Sequence, residues 1–249
     1  MEESPLHAFE LHDLIPLVPA GVDISINKAV ILMWVIVGLV AFLMISAAAA
    51  RKLVPGKLQN MAELIVEFIR GIILDTMGEP GMKYFPLIAT LFLFILFANL
   101  IGLIPGSYTV TSQIIVTAVF AVGVYGLSIV LGFSLHGMKF LGILVPPGTP
   151  GWLLPLMIPI ELISQLARPI SLAVRLFANM TAGHVILGVL FGLAISGGLL
   201  IGWLPFVFTI AMNGLEVGIA FIQAYIFTVL SCVYLGDAVT LHGHSEHAH

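Results

Sequence analysis

The stretch from Tyr84 to Met138 contains no Lys, Arg, Asp or Glu, and this uncharged run constrains the fold more than any other feature of the sequence. A soluble domain carries charged residues at about a quarter of its positions, whereas only 9% of this 249-residue chain is charged and 60% is hydrophobic. A membrane-spanning helix needs about 20 mostly apolar residues. The sequence therefore predicts an all-α, polytopic membrane protein.

Five segments are apolar and long enough to cross a bilayer. Charged residues or Pro-Gly breaks separate them, and they cover residues 29–50, 84–104, 111–135, 153–200 and 204–235. The fourth segment is far longer than a perpendicular crossing requires, so it must tilt strongly or bend. We expect one domain, with an N-terminal extension over residues 1–28 and a C-terminal tail over residues 236–249.

The segment Leu58–Glu79 has a different pattern. Gln59, Glu63, Glu67 and Arg70 recur at helical spacing and form one polar stripe on an otherwise apolar helix. Such a helix could lie along the membrane surface, or it could be the polar start of a spanning hairpin. The sequence leaves both alternatives open.

The distribution of basic residues predicts the orientation of the chain. Lys and Arg concentrate between Arg51 and Lys83, which places this loop on the cytoplasmic side. Five crossings then put the acidic N-terminus outside and the His-rich C-terminus inside. The acidic N-terminus is unlike a cleaved signal peptide. We expect a bacterial inner membrane, with the mitochondrial inner membrane as the alternative.

Ionisable groups within membrane helices are costly and mark functional sites. The last two predicted segments contain five such residues, which are Glu161, Arg168, Arg175, His184 and Glu216. We consider the amides Asn179, Asn213 and Gln223 together with them. Asn99, in the second segment, is expected to bridge helices rather than contact an ion.

Helical spacing sorts these residues by face. Glu161, Arg168 and Arg175 are seven residues apart and share one face, and Asn179 lies one turn further on. His184 falls roughly on the opposite side of that helix. One helix thus presents a cation on one side and a titratable imidazole on the other.

Arg175 suits a site that binds and releases an anion. Arginine in the middle of a membrane helix costs about 2.5–3.5 kcal/mol on insertion scales. A carboxylate about 4 Å away would return roughly 4 kcal/mol at an effective dielectric constant near 20. Because these energies are comparable, the carboxylate can pair and still leave, and arginine does not release its own proton.

Glu216 and Gln223 share a face of the last helix, and Glu216 can change its protonation state together with His184. The two could relay protons in a wet cavity, or they could form a buried hydrogen-bonded pair that joins two helices. For Arg168 we expect a structural ion pair with Glu161.

Other features predict neither a cofactor nor a nucleic acid. There is no phosphate-binding loop, nucleophile elbow or zinc-helix motif, and no basic patch. Cys232 is the only cysteine. The histidines of the C-terminal tail are expected to form a solvated segment rather than a metal site.

Several stretches resemble subunit a of F-type rotary ATP synthases. The most specific is Ser171-Leu-Ala-Val-Arg-Leu-Phe-Ala-Asn-Met-Thr-Ala-Gly-His184, and Gln223-Ala-Tyr-Ile-Phe-Thr-Val-Leu is similar to the family's last membrane helix. The resemblance extends over nearly the whole chain. Its other elements are Pro5-Leu-His-Ala-Phe-Glu10, Asn99-Leu-Ile-Gly-Leu-Ile-Pro105, Glu161-Leu-Ile-Ser and Arg168-Pro169.

The resemblance implies roles for individual residues. Arg175 corresponds to an arginine that faces a rotating ring of c subunits, and Asn179 and Gln223 correspond to polar residues near that interface. His184 and Glu216 correspond to a pair at an aqueous half-channel, which many bacterial members carry with acid and imidazole exchanged. We expect Glu161 to take part in proton translocation together with these residues.

The resemblance also implies partners and an arrangement in the membrane. The partners are the c-ring, the b and b′ subunits of the peripheral stalk, the lipid bilayer and, indirectly, the soluble catalytic sector. The last two helices are expected to lie nearly horizontally against the ring. This chain would conduct protons and carry no ATP chemistry of its own.

Three other functions compete with this interpretation. A self-contained secondary transporter could bind an anionic solute at Arg175, although the sequence has no internal repeat. An integral membrane enzyme would need a metal or nucleophile cluster, which is lacking. A purely structural anchor would leave the intramembrane charges unexplained.

Overall fold

The computed structural model describes residues 13–15, 26–49, 56–104, 110–145 and 149–239, and the described part is almost entirely helical. The expectations for the extreme N-terminus, for Arg51 and Lys52, for the Pro105-Gly106 break and for the tail histidines lie outside these residues. The seven α-helices are α1 (Lys28–Ala49), α2 (Lys57–Met77), α3 (Phe85–Gly102), α4 (Ile114–His136), α5 (Leu154–Ser196), α6 (Gly198–Ile201) and α7 (Trp203–Val239). Short 3-10 helices cover Glu79–Tyr84, Val110–Ser112, Gly137–Leu144 and Gly151–Leu153.

A small β-ribbon lies in the predicted N-terminal extension. Its strands β1 (Asp13–Ile15) and β2 (Ile26–Asn27) pair antiparallel, with Asp13 opposite Asn27. The sequence did not predict this ribbon, because two strands this short carry no readable alternation of apolar and polar residues. The Asn27 side chain accepts a hydrogen bond from the Val30 amide at 3.1 Å, so it caps the start of α1.

Five helical segments of the described chain are long and apolar enough to cross a membrane, as expected. They are Lys28–Ser46, Glu79–Gly102, Ile114–Leu144, Gly151–Ser196 and Trp203–Val239. The last helix continues through Val239, so the first residues of the predicted tail are helical. The chain is thus a multi-pass α-helical membrane protein.

The fourth segment forms one helix of 43 residues that includes Pro159 and Pro169. At about 1.5 Å per residue, α5 is about 65 Å long, roughly twice the thickness of a bilayer core. The break expected near Gly202 and Pro205 is present. The chain reverses between Gly197 and Gly202, where Gly198 has a φ of +58° that favours glycine.

Helix α2 is amphipathic and is not among the five candidate spans, which favours the surface-helix alternative. It runs alongside α7. The Phe68 ring lies 6.0 Å from the Tyr225 ring, and a Cβ at Gly236 would meet the Met77 side chain at 3.3 Å. The absence of a side chain at Gly236 therefore lets the ends of the two helices approach closely.

Helix α7 is at the centre of the structure and packs against α2, α3, α4 and α5. Its buried face includes Phe227 and Leu235, together with the hydroxyls of Thr228 and Ser231. Each hydroxyl donates to the carbonyl four residues earlier at 2.8 Å, so neither polar group enters the apolar interior unpaired. Large apolar side chains are exposed on the outer faces of the spans, as expected for contact with lipid or other subunits.

We predict that Gly132→Ala destabilises the junction between α4 and the Gly137–Leu144 segment. A methyl group at Gly132 would overlap the buried Phe140 ring, whose centroid lies 5.2 Å from that of Phe133. Overpacking of this kind costs about 1–3 kcal/mol, which should lower the thermal unfolding midpoint in detergent.

Gly126→Ala is the matched control, because nothing lies within 4 Å of a Cβ at Gly126 on the same helix. Shortening the obstructing ring with Phe140→Leu should restore part of the stability that Gly132→Ala loses. Equal midpoints for the two glycine variants would contradict the prediction.

Candidate functional site

Helices α5 and α7 form an antiparallel hairpin whose register is defined at two places. A Cβ at Gly183 would lie 2.8 Å from the carboxylate carbon of Glu216, so these residues are in contact. Further from the turn, Gln165 and Tyr234 line the same cavity. In each pair, the same number of residues separates the two members from the turn between the helices. The two helices therefore keep the same register from one pair to the other.

This register determines what lies between the two pairs. Leu176 is level with Gln223, and Arg175 is level with Ala224. Leu176 and Ala224 are fully buried, whereas Arg175 is exposed. The helix therefore directs the guanidinium away from the α5–α7 interface.

The Arg175 side chain has no partner within the described part of the chain, where no hydrogen bond or ion pair reaches its guanidinium. Its face of α5 also carries Ser171, Ala178 and Ala182, which are all exposed and small. A partner surface could therefore approach the helix closely around this cation.

The Glu216 carboxylate lies at the turn end of the hairpin and is only 5% exposed. Neither of its oxygens has a hydrogen-bond partner among the described residues. The expected alternative of a hydrogen-bonded pair with His184 is therefore wrong. The Glu216 carboxylate packs directly against Gly183, and the half-buried imidazole is carried by the next residue along α5.

Glu161 lies at the other end of the hairpin and is half-buried. Its Oε1 accepts a hydrogen bond from Gln165 Nε2 at 3.0 Å. The expected ion pair with Arg168 is wrong: among the described residues, Arg168 is exposed and pairs with no carboxylate. Gln165 is one helical turn from Glu161 and occupies the same face, so it reaches the carboxylate first.

The three amides singled out from the sequence have different surroundings. Gln223 is 3% exposed, and its Nε2 has no partner in the described chain. Asn179 is half-exposed, one turn beyond Arg175. Asn213, one turn before Glu216, is half-exposed like Asn179.

The predicted residues thus occupy three levels along one hairpin. Arg175 is about 12 Å along the helix from Gly183, where Glu216 makes contact, and about 21 Å from Glu161. An exposed, permanent cation therefore separates two places at which buried or half-buried groups can bind and release protons.

The structure also identifies polar residues that the sequence pattern does not single out. Gln165 could have been found from its i+4 spacing to Glu161. Tyr234, whose buried hydroxyl has no partner in the described chain, gave no signal, because an aromatic residue in a membrane helix usually only packs. Asn99 is fully buried, and both polar atoms of its amide lack partners there, so the expected helix-bridging hydrogen bond is wrong.

No group of three His, Cys, Asp or Glu side chains that could hold a metal ion is found in the ranges that the structure describes.

The register predicts which cysteine pairs form a disulfide across the hairpin. Met180 and Ile219 are level, whereas Ile226 lies on the same face of α7 about 10 Å further along the axis. In a Cys232→Ala background, Met180→Cys with Ile219→Cys should therefore oxidise readily, as measured by mass spectrometry of unreduced peptides.

The control for that experiment combines Met180→Cys with Ile226→Cys, which should remain reduced because the two Cα atoms are too far apart. Preferential oxidation of the control pair would show that the hairpin has another register.

Comparison with known proteins gives a consistent result. A family model described as "ATP synthase A chain" matches residues 30–236. ATP synthase subunit a of Rhodospirillum rubrum is 46% identical over 239 residues, which cover 96% of this chain and 99% of the relative.

Two further relatives, also named ATP synthase subunit a, agree. The protein of Magnetococcus marinus is 49% identical over 247 residues, covering 96% of this chain and 94% of the relative. That of Rhizobium johnstonii is 46% identical over 250 residues, covering 98% and 100%. Similarity at this level over nearly the full length shows that the chain belongs to the ATP synthase subunit a family.

Proposed function

We propose that this chain is the stationary subunit of a rotary ATP synthase that carries protons to and from carboxylates on a ring of c subunits. Two half-channels would reach the ring from opposite sides of the membrane, and proton flow would drive ring rotation and thereby ATP synthesis. The observation that carries this proposal is an exposed Arg175 without a partner in the described chain, between two separate polar regions.

Arg175 would attract a c-subunit carboxylate that has lost its proton. A Coulomb energy of roughly 4 kcal/mol at a 4 Å separation is comparable with the cost of holding arginine in the membrane, so the pair can form and break as the ring turns. The small exposed residues Ser171, Ala178 and Ala182 would let a ring helix approach the guanidinium closely.

Glu216 and His184 would form the end of the outer half-channel. A proton arriving from outside would bind one of these groups and pass to a ring carboxylate, which becomes neutral and can move into lipid. Glu216 supports this role because it is buried without a hydrogen-bond partner among the described residues. A carboxylate in such a place is expected to contact water or exchange protons. Asn179 and Gln223 would orient the ring carboxylate near Arg175.

Glu161 would receive protons on the inner side. After nearly a full turn, a neutral ring carboxylate reaches this region, loses its proton and is then attracted to Arg175. About 33 Å of helix separates Glu161 from the level of Glu216, and the permanent cation Arg175 lies between them, so protons would cross only with the ring. Each proton moved through 100 mV supplies about 2.3 kcal/mol, so several are needed for each ATP.

The length of α5 supports a strongly inclined arrangement against the ring. A straight helix of about 65 Å fits within a hydrocarbon layer of about 30 Å only when its axis is inclined by about 60° from the membrane normal. This inclination would present Arg175 and both polar regions to successive ring helices within one layer.

The chain would work in a complex with the c-ring, with the b and b′ subunits of the peripheral stalk and, through them, with the soluble catalytic sector. The basic residues Lys57, Arg70 and Lys83 are exposed on one loop region and favour its placement on the inner side. This orientation puts the N-terminus outside and the C-terminus inside. The bacterial relatives support a bacterial inner membrane over a mitochondrial one.

Arg175→Ala should abolish ATP-driven proton pumping by the reconstituted complex, because no cation would remain to draw the ring carboxylate forward. ATP hydrolysis by the detached catalytic sector should be unchanged. Arg70→Ala is the control, since it removes an exposed arginine from α2. Coupled pumping by Arg175→Ala at the unmodified rate would refute the assigned role.

Exchanging the acid and the imidazole should preserve part of the activity. His184→Glu alone or Glu216→His alone places two like groups in one region and changes their proton affinity. A change of about one pKa unit slows proton transfer about tenfold. The double variant His184→Glu with Glu216→His restores one acid and one imidazole. In inverted vesicles, the double variant should pump protons faster than either single variant. If the double variant pumped no faster than the single variants, His184 and Glu216 would not share one role.

A further inference from the structure

Arg168 is a second cation on the exposed face of α5. It lies seven residues before Arg175, about 10 Å along the helix axis, and both side chains leave the helix in nearly the same direction. Both are exposed, and within the described chain neither forms a hydrogen bond or an ion pair. The proposed function uses Arg175 only. Because a charge in a membrane helix is costly, the second arginine indicates a partner outside the described chain.

The neighbouring helices do not neutralise Arg168. In the register of the hairpin, α7 presents Ser231 at this level, and the Ser231 hydroxyl donates to the Phe227 carbonyl at 2.8 Å. The phenols of Tyr125 on α4 and Tyr234 on α7 are close enough to interact with the charge of Arg168. Phenols are neutral near pH 7, so they leave the positive charge uncompensated.

The carboxylates at this end of the hairpin are not paired with Arg168 either. Glu161 accepts a hydrogen bond from a side chain of its own helix, and Asp237 on α7 lines the cavity behind that helix. Within the described chain, neither forms an ion pair with Arg168. The Gly137–Leu144 segment, which also packs against α5, carries the exposed Lys139 and no acid. The positive charge of Arg168 therefore faces outwards.

The surface around Arg168 favours a closely packed helix as its partner. Ser164 and Ser171 lie one turn before and one turn after it on the same face, and both are at least partly exposed. Small residues at such spacing let a second helix approach closely. Another side of α5 carries Leu166 and Ile170, which are large, apolar and exposed and suit contact with lipid.

The inclination of α5 relates Arg168 to a particular ring helix. When the axis is inclined by about 60° from the membrane normal, a step of about 10 Å along α5 moves about 9 Å parallel to the membrane. Neighbouring packed helices are about 8–10 Å apart. Arg168 therefore lies beside the ring helix next to the one at Arg175, on the side towards Glu161.

We propose that Arg168 faces the ring helix adjacent to the one at Arg175, and that its positive charge promotes proton release from the carboxyl group of that helix. The inference rests on the proposed function, because it concerns the ring carboxyl group that approaches Arg175 from the inner side. The O–H bond of this group breaks, the proton passes to the inner side, and the carboxylate keeps a cation nearby until it reaches Arg175. Arg168 itself takes up no proton.

The depth of Arg168 in the membrane limits the size of its effect. The carboxylates of a symmetric ring share one depth, whereas the inclination puts Arg168 about 5 Å closer to the inner side than Arg175. At a separation of about 10 Å and an effective dielectric constant near 20, a positive charge lowers the proton affinity of a carboxylate about tenfold. This effect is smaller than that of a cation in direct contact, so the carboxylate continues to Arg175.

The first experiment measures the pH dependence of ATP-driven proton pumping by the complete complex in proteoliposomes whose catalytic sectors face the medium. Pumping then takes protons from the inner side of the protein, and it fails at high pH when the ring carboxylate there no longer binds one. Removing the positive charge raises the proton affinity of this carboxylate. Arg168→Gln should therefore move the alkaline midpoint of pumping upwards by about one pH unit.

Arg168→Lys is the matched variant, because lysine keeps the charge but changes the shape of the side chain. It should restore the midpoint of the unmodified complex. Arg70→Gln removes an exposed arginine from α2 and should leave the midpoint unchanged. ATP hydrolysis by the detached catalytic sector over the same pH range provides the baseline. An unshifted midpoint in Arg168→Gln, or an equal shift in Arg168→Lys, would overturn the proposal.

The second experiment identifies what Arg168 faces. Arg168→Cys and Leu166→Cys are made separately in a Cys232→Ala background, and a maleimide with a photoreactive group is attached to each cysteine in the assembled complex. After illumination, the adducts are identified by mass spectrometry. Arg168→Cys should cross-link mainly to a c subunit, whereas Leu166→Cys should not. Cross-linking of Arg168→Cys to phospholipid instead would show that this position faces lipid headgroups, and it would overturn the proposal.

The roles of Arg175 and Arg168 can be refuted separately. If Arg175→Ala retained coupled pumping, the proposed function would fail whatever the result for Arg168. If Arg175→Ala abolished pumping while Arg168→Gln left the alkaline midpoint unchanged, only the role of Arg168 would fail.

Discussion

The antiparallel packing of α5 against α7 determines where every ionisable group of the membrane region lies. The absence of a side chain at Gly183 lets the Glu216 carboxylate sit directly against the α5 backbone, and this contact sets the register of the whole hairpin. From it follow the level of Arg175, the burial of Gln223 and the meeting of Gln165 with Tyr234. A shift of a few residues would change the level of Glu216 relative to Arg175 and alter the separation between the two polar regions.

The distribution of unpaired polar atoms is the second property with functional meaning. Most hydroxyls in the described membrane helices donate to their own helix, as Thr228 and Ser231 do. By contrast, each of Glu216, Gln223 and Tyr234 has a side-chain polar atom without a hydrogen-bond partner among the described residues, although each residue is at least nine-tenths buried. Because such atoms are costly in an apolar interior, their presence at three levels of α7 indicates places where water, protons or a neighbouring subunit complete the structure.

Much of this could be read from the sequence. The uncharged run between Tyr84 and Met138 and the long apolar segments predict the helices, because a bilayer accepts few alternatives. The nine-residue spacing also predicts that Arg175 and His184 lie on different sides of one helix. The pairing of side chains was less predictable. Arg168 was expected to pair with Glu161, but Gln165 is nearer on the same face. A hydrogen-bonded pair of His184 and Glu216 was one of two alternatives, and neither oxygen of Glu216, which lies against Gly183, has a hydrogen-bond partner among the described residues.

The sequence alone determined that the chain is a membrane protein with five apolar spans, and it identified which charged residues lie within them, since the cost of placing charge in hydrocarbon makes those residues conspicuous. Only the tertiary structure decided which of them meet. Contacts such as that of Gly183 with Glu216, and the cavity shared by Gln165, Tyr234 and Asp237, join residues far apart in sequence. No local periodicity encodes them, because they depend on the register in which one long helix packs against another.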